Sequence, residues 1–263
     1  MVKYNTYAIG DIHGGYLALK QVLQRCGFDY KNDTLIVLGD VVDGRDGVYE
    51  CVEELLRIKN RIDIMGNHDQ WMYEFLTTSV HPDQWSQGGL ATAQSYANAL
   101  GMNLLIDKTT NRSFRSAYYT YRLNLIPEDI TESHQNFYKR MARYYKDDNN
   151  NVFVHGGVNR FQPINDQLAY HMMWDRKLWN QAMSAKSGKQ KLKWEFEEVN
   201  NVFIGHTTTM AWGTTEPIKA ANVWNLDTGA GGSGKLTIMN VDTEEYWQSD
   251  LMNDLYPNQK NYR

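Results

Sequence analysis

Five short clusters in this sequence join side chains that bind divalent cations to glycines that let a backbone turn tightly: Gly10-Asp11-Ile12-His13-Gly14, Gly39-Asp40-Val41-Val42-Asp43, Gly66-Asn67-His68-Asp69, His155-Gly156-Gly157 and Gly205-His206-Thr207. Carboxylate, amide oxygen and imidazole together suit borderline or hard ions such as manganese, iron or zinc. A carboxylate shared by two such ions holds them ~3.5 to 4 Å apart, close enough to activate one water and neutralise phosphate oxygens at once. Asp40 is the candidate bridge. Taken singly, a Gly-Asp or Gly-His pair is an ordinary turn; the joint occurrence of five is what points to a metal centre. His81, His134 and His171 have no flanking glycines and are read as surface or packing histidines.

Each cluster follows a short apolar segment that reads as a strand, at 6–9, 34–38, 61–65, 152–154 and 202–204, with further strands at 223–226 and 236–241. Two amphipathic helices separate the first three. One covers 16–25, with Leu17, Leu19, Val22 and Leu23 inward and Gly27 closing it; the other covers 48–58, with Val48, Val52, Leu55 and Leu56 inward. In α/β sheets the loops at the carboxyl ends of strands converge on one crevice, so the five clusters can share a site. Between His68 and His155 the period turns mainly helical, at 71–76, 90–100 and 133–145, the last with Phe137, Met141 and Tyr144 in register. This predicts a single domain over 1–263 with a helical cap insertion at about 70–150. The Lys-rich stretch 186–193 reads as a solvated loop.

A net charge of -4 gives no reason to expect an obligatory nucleic-acid partner. No apolar run approaches the ~20 residues that span a bilayer, so no membrane is expected. Residues 1–5 run into the first strand without a secretory signal pattern, so the expected location is cytoplasmic. Cys26 and Cys51 lie in the two helices outside any zinc spacing and are expected to be buried thiols.

The ordered set GDIHG, GDVVD, GNHD, HGG and GH, spanning residues 10–206, resembles that of the calcineurin-like metallophosphoesterases. It is most similar to their phosphoprotein phosphatase branch, with its bacterial and phage lambda-type serine/threonine phosphatases and the related symmetrical diadenosine tetraphosphatases. Trp85-Ser86-Gln87-Gly88-Gly89 with Thr92 and Ser95-Tyr96, and Asn225-Leu226-Asp227-Thr228-Gly229-Ala230, resemble segments of the same bacterial enzymes. The resemblance implies an α/β fold, a metallophosphoesterase-type β-sandwich with flanking helices and a helical cap insertion. It implies two divalent metal ions, manganese first with iron or zinc as alternatives: Asp11, His13 and Asp40 around one, and Asp40, Asn67, His155 and His206 around the other. It also implies that His68 protonates the leaving oxygen while Asp43 orients its imidazole, an assignment that suits general-acid chemistry near neutral pH; Asp43 as a helix cap is the competing reading.

The sequence departs from the branch after Asp43, where Gly44 stands in place of the usual arginine and Arg45 follows. Arg45 reaching the phosphate from the shifted position, and Arg45 as an exposed arginine at a helix start, both stay open. Met172-Met173-Trp174-Asp175-Arg176 resembles the segment whose arginine binds the transferred phosphate, with a salt-bridged helix arginine as the alternative for Arg176. The implied activity is hydrolysis of phosphomonoesters, phosphoserine and phosphothreonine included, by direct attack of a water shared between the metals. The partner is a phosphorylated protein, nucleotide or small molecule. Hydrolysis of dinucleoside polyphosphates or phosphodiesters is the first alternative, with Trp71, Trp85, Tyr96, Tyr118, Tyr119, Tyr121 and Tyr138 available either to stack on a base or to fill a core. A catalytically silent scaffold of the same fold is the second.

Overall fold

Strand residues that alternate between two different apolar neighbours build the centre of the molecule. The computed structural model describes residues 4–112, 117–185 and 191–259, with 108–112 and 117–121 by backbone alone. Tyr118, Tyr119 and Tyr121 therefore lie outside the described side chains, as do residues 186–190 of the Lys-rich stretch. One sheet runs β12 (Tyr246–Gln248), β11 (Thr237–Asn240), β1 (Thr6–Ile9), β2 (Thr34–Val37) and β3 (Asn60–Asp63). The other runs β6 (Tyr144–Lys146), β7 (Val152–Val154), β8 (Val202–Ile204), β10 (Val223–Asn225) and β9 (Ile218–Ala220). In each sheet three strands are parallel, β1-β2-β3 and β7-β8-β10; antiparallel pairings add β11 and β12 on the β1 side of the first sheet, whose other edge is β3, and add β6 and β9 on the two flanks of the second.

The sheets face one another. Ala8, Ile36 and Leu38 from the first meet Phe153, Phe203 and Trp224 from the second in one buried cluster, and the Phe153 and Phe203 rings stack with centroids 4.9 Å apart. The intervening residues point outward to helices. Tyr7, Ile9, Leu35 and Val37 pack with α1 (Tyr16–Arg25) and α2 (Val48–Leu56), and Val152, Val154, Val202 and Ile204 pack with α7 (Lys177–Ala185). Both faces of the central strands are therefore covered, which is why they read as continuous apolar runs. Truncating either stacked phenylalanine to alanine would cost about 3–5 kcal/mol.

The segment between the two sheets holds α3 (Asn67–Thr78), α4 (Gly89–Ala99) and α5 (Glu132–Lys139). It also holds a hairpin, β4 (Ile106–Arg112) with β5 (Ala117–Leu123), that periodicity did not disclose. Trp71, Phe75, Trp85, Tyr96 and Tyr138 join the same buried cluster as the outer face of the first sheet.

Three sequence expectations are corrected. Leu17 is 44% exposed, and Ala18 takes the inward position on α1. Leu56 is only half-buried. The helix expected over 133–145 stops at Lys139, and Tyr144 begins β6. Its backbone is needed elsewhere: the Ala142 N–H donates to Asp63 O, Met65 N–H donates to Ala142 O, both at 2.8 Å, and Tyr144 to Lys146 pair with β7. Among the described residues no helix is long and apolar enough to cross a membrane. Cys51 is buried, Cys26 is half-buried, and both are free thiols.

Candidate metal centre

The loops that leave the parallel strands meet where the two sheets meet. β1 delivers Asp11 and His13, β2 delivers Asp40 and Asp43, and β3 runs into Asn67 and His68 at the start of α3. β7 delivers His155, β8 His206 and β10 Asp227. The ligand atoms of Asp11, His13 and Asp40 lie within 4.8 Å of one another, as do those of Asp40, His155 and His206. Asn67 Oδ1 is 3.1 Å from His155 Nε2. All six residues proposed as metal ligands are thus together, and Asp40 is common to both groups.

Local backbone geometry aims these side chains. His13, Asp40, Asp43 and His206 all have positive φ, between 48 and 67°, a conformation that costs a non-glycine residue roughly 1–3 kcal/mol and persists where surroundings over-determine it. The surroundings here are backbone hydrogen bonds between loops: Ile12 and His13 N–H both donate to Asp40 O, and Gly205 N–H donates to His155 O. At Gly66 a Cβ would overlap Asp40 Oδ1, and at Gly205 it would overlap Asp11 Oδ1, so only glycine lets the strand-end loops approach this closely.

His13 Nδ1 donates to Val42 O at 3.0 Å and His155 Nδ1 donates to Leu38 O at 2.7 Å, which turns both Nε2 atoms toward the carboxylates. Ring orientation by a carbonyl behind the ligand is the usual support of a metal-binding histidine. Asp40 Oδ1 accepts the His68 N–H at 2.9 Å. Asp40 Oδ2 is buried without a hydrogen-bond partner, 3.6 Å from His13 Nε2 and 3.4 Å from His155 Nε2. A buried carboxylate oxygen left in this way is costly unless a cation completes it.

The electrostatics agree. Burial pushes the Asp11 carboxyl well above the usual range, with Asp227 and Asp40 adding to the rise. Asp40 goes the other way: burial opposes its charge, but His155, His68 and His13 together hold it well below. Burial likewise opposes a charge on His155, yet Asp40 and Asp11 outweigh it and lift the imidazole to about 10. The Asp11 carboxyl, buried beside Asp227 and Asp40, thus ionises readily only with added positive charge, which two divalent cations would supply. The donor set fits them.

Beside this cluster His68 Nδ1 lies 2.8 Å from Asp43 Oδ2. Thr92 Oγ1 donates to Asp43 Oδ1 at 2.7 Å and accepts the Asp43 N–H at 2.9 Å, so α4 fixes the carboxylate. The His68 ring stands edge-on to His13 at 5.0 Å and packs on Trp71 at 4.4 Å. Asp69 ties the loop to α3, its Oδ1 accepting Val41 N–H and its Oδ2 Gly66 N–H.

The profile of the calcineurin-like phosphoesterases matches residues 4–209. This chain belongs to that family. It is accordingly a metal-dependent hydrolase of phosphate ester bonds, of a dinuclear family, with His and Asp clusters able to bind the ions. A symmetrical bis(5'-nucleosyl)-tetraphosphatase of Neisseria gonorrhoeae is 25% identical over 92% of this chain and 94% of its own length. The enzyme of the same name from Baumannia cicadellinicola is 41% identical over 66 residues, a stretch covering only 23% of that relative. Among solved structures, one bearing the provisional name diadenosine tetraphosphatase superposes with a TM-score of 0.62 at 15% identity, covering 94% of this chain and 93% of that one. A cold-active protein-tyrosine phosphatase of a psychrophilic Shewanella superposes at 0.51, also at 15% identity, over 94% of this chain and 81% of its own. These two likenesses concern the fold.

In this calcineurin-like phosphoesterase the two candidate arginines part company. Arg45 is 3% exposed, and its guanidinium donates to Ala230 O and Gly232 O at 2.7 Å each and lies over the Tyr256 ring. Arg176 is exposed and lines an opening of about 430 Å³ with His206, Asp227 and Gly229. Asp227, Thr92 and Asp69 were given no site role from sequence. Asp227 follows a strand in the same way as the five clusters, and that placement was the available signal.

Proposed function

We propose that this hydrolase acts on a dinucleoside polyphosphate, with Asp11, His13 and Asp40 holding one cation and Asp40, Asn67, His155 and His206 the other. Manganese suits the oxygen and nitrogen donors, and the two free thiols agree with a cytoplasmic setting. The observation that carries the assignment is Asp40, whose buried Oδ2 faces imidazoles from both groups. When bound, the cations supply Lewis-acid stabilisation and a more acidic water for direct displacement at phosphorus. The chain does the rest. Arg176, exposed at the opening, pairs with a nonbridging phosphate oxygen. His68, with Nδ1 held by Asp43, presents Nε2 to the departing oxygen and delivers a proton there. The nucleotide reading is supported by the Neisseria relative that aligns along nearly the whole chain.

A second reading, hydrolysis of phosphomonoesters including phosphoserine and phosphothreonine, is favoured by the His68 and Asp43 pair, because an alkoxide leaves poorly without a proton. A manganese-loaded panel at matched concentrations decides between them: a dinucleoside tetraphosphate, a phosphopeptide, p-nitrophenyl phosphate and its bis-ester. The highest kcat/KM is expected for the dinucleoside tetraphosphate. A phosphopeptide preferred tenfold or more would replace the first reading with the second, and hydrolysis of none of the four would remove both.

A further inference from the structure

Beyond Arg176 lies a cavity of about 900 Å³ that the phosphate chemistry does not use. It lies within the ~300–1,000 Å³ range of small-molecule sites and is far larger than one tetrahedral phosphate requires. It is joined to the metal centre by two residues. Arg176 lines both openings. Trp174, another wall residue, sets its ring edge-on to metal-site His206 at 5.7 Å.

The walls are built rather than accidental. α6 (Ala169–Trp174) is bound directly to the loop carrying His155, because Gly156 and Gly157 N–H both donate to Met172 O, at 2.8 and 3.0 Å. The facing loop is pinned by buried Gln167, which accepts from Asn159 N–H at 2.7 Å and donates to Asn159 O and Gln162 O at 2.8 and 3.1 Å. Arg160 ties that loop to α7, its Nε donating to Gln181 Oε1 at 3.0 Å. The walls are thus positioned before any ligand arrives, which lowers the ordering cost of binding.

The lining is chemically graded. Arg176, between the helices, and Lys177, at the start of α7, offer positive charge, while Trp174, His171 and Leu168 offer flat or apolar surface and Gln162 a carboxamide. Asp175 also lines the cavity, but its Oδ1 accepts the Leu178 N–H at 2.9 Å and starts α7. Asp166 adds a second carboxylate to the lining. A polyanion filling the whole space gains little from such a lining. A neutral planar ring stacked on aromatic faces, with its phosphates directed toward Arg176, uses all of it.

We propose that this cavity is a nucleoside subsite, which accepts the base of the nucleotide whose phosphate chain runs past Arg176 to the metal centre. The assignment rests on the hydrolase reading of that centre, and its test does not depend on turnover. Calorimetric titration with adenosine 5'-monophosphate is compared with titration by ribose 5-phosphate, which lacks the base. The wild-type protein is expected to prefer the nucleotide by at least tenfold. Leu168→Glu, at a position 64% exposed and so safe for folding, is expected to reduce that preference to less than threefold, and His171→Ala to reduce it in the same direction. Equal binding of the two ligands by the wild-type protein, or an undiminished preference in Leu168→Glu, would overturn the subsite. So would a phosphopeptide that displaces the nucleotide and shows the greater sensitivity to Leu168→Glu. Hydrolysis of p-nitrophenyl phosphate is scored on the same preparations. A protein that turns it over without any base preference loses the subsite alone. One that shows the base preference but hydrolyses no phosphate ester keeps the subsite and loses the hydrolase reading.

Discussion

The His68 imidazole has its Nδ1 occupied by Asp43, which leaves Nε2 as the nitrogen to transfer a proton in the proposed role, and this asymmetry sets what its loss should do. General acids contribute ~10²- to 10⁴-fold, and most where the leaving group is most basic. His68→Asn is therefore expected to cut kcat by ~10²-fold or more on an alkyl phosphate such as a phosphoserine peptide. The loss should be clearly smaller on p-nitrophenyl phosphate, whose leaving group needs little help, with metal content by elemental analysis unchanged. A uniform loss across both substrates would remove the acid role. Arg45 permits an equally sharp separation. Its guanidinium serves two main-chain carbonyls of the loop beside the site, and buried polar groups deprived of a partner cost about 1–3 kcal/mol each. Arg45→Met should therefore lower Tm by several degrees while KM moves little; a raised KM at unchanged Tm would restore Arg45 as a phosphate clamp. The sequence told the two arginines apart poorly because a guanidinium's partners here are main-chain carbonyls some 185 residues away. The six candidate ligands were legible because each needs glycine beside it for close approach, as at Gly66 and Gly205. Asp69 and Thr92 were not, since their work is to hold the backbone or carboxylate of another residue.

At the level of elements, strands covered on both faces announced themselves, and 6–9, 152–154 and 202–204 were bounded as the structure has them. What failed was periodicity where tertiary pairing competes: Met141 and Tyr144 keep helical register with Phe137, yet the backbone there is drawn into the edges of both sheets. Helix α5 instead contributes His134, whose Nδ1 lies 2.9 Å from Tyr96 Oη and whose Nε2 lies 2.7 Å from Glu53 Oε1, fastening α5 to α4 and α2. Burial holds this imidazole below its ordinary 6.5 against the opposing pull of Glu53. As pH falls through that value the unfolded chain takes up a proton that the folded chain refuses, so stability is lost on acidification and is untouched above it. His81, also lowered by burial, adds a change of the same sign. Urea unfolding at pH 5.5 and 7.5 should show wild-type protein losing more stability on acidification than His134→Gln. An equal or larger acid loss in the variant would mean that His134 is protonated in the fold.

Across the whole molecule the centre is a junction between sheets: Asp11, His13, Asp40 and Asn67 come from one, His155 and His206 from the other. Phe153, Phe203 and their neighbours hold the sheets together along the interior, but at the strand ends the inward groups are carboxylates and imidazoles rather than hydrocarbon. Burial and mutual repulsion raise Asp11, so its ionised form is unfavourable where the sheets meet unless a cation is bound there. Cations bound there stabilise the folded state by mass action, by about 2.7 kcal/mol per site at a hundred times Kd. For a chain of this size that corresponds to a Tm higher by about 5–10 °C per site, since 1 kcal/mol moves Tm by about 2–4 °C. Calorimetry of chelator-treated protein titrated with manganese should show Tm climbing with metal concentration. Asp40→Asn should abolish most of that climb, because Asp40 faces both groups, whereas His13→Ala should leave part of it through Asn67, His155 and His206. If Asp40→Asn retained the full metal-dependent rise, the ions would bind elsewhere and the two sheets would not be joined by them.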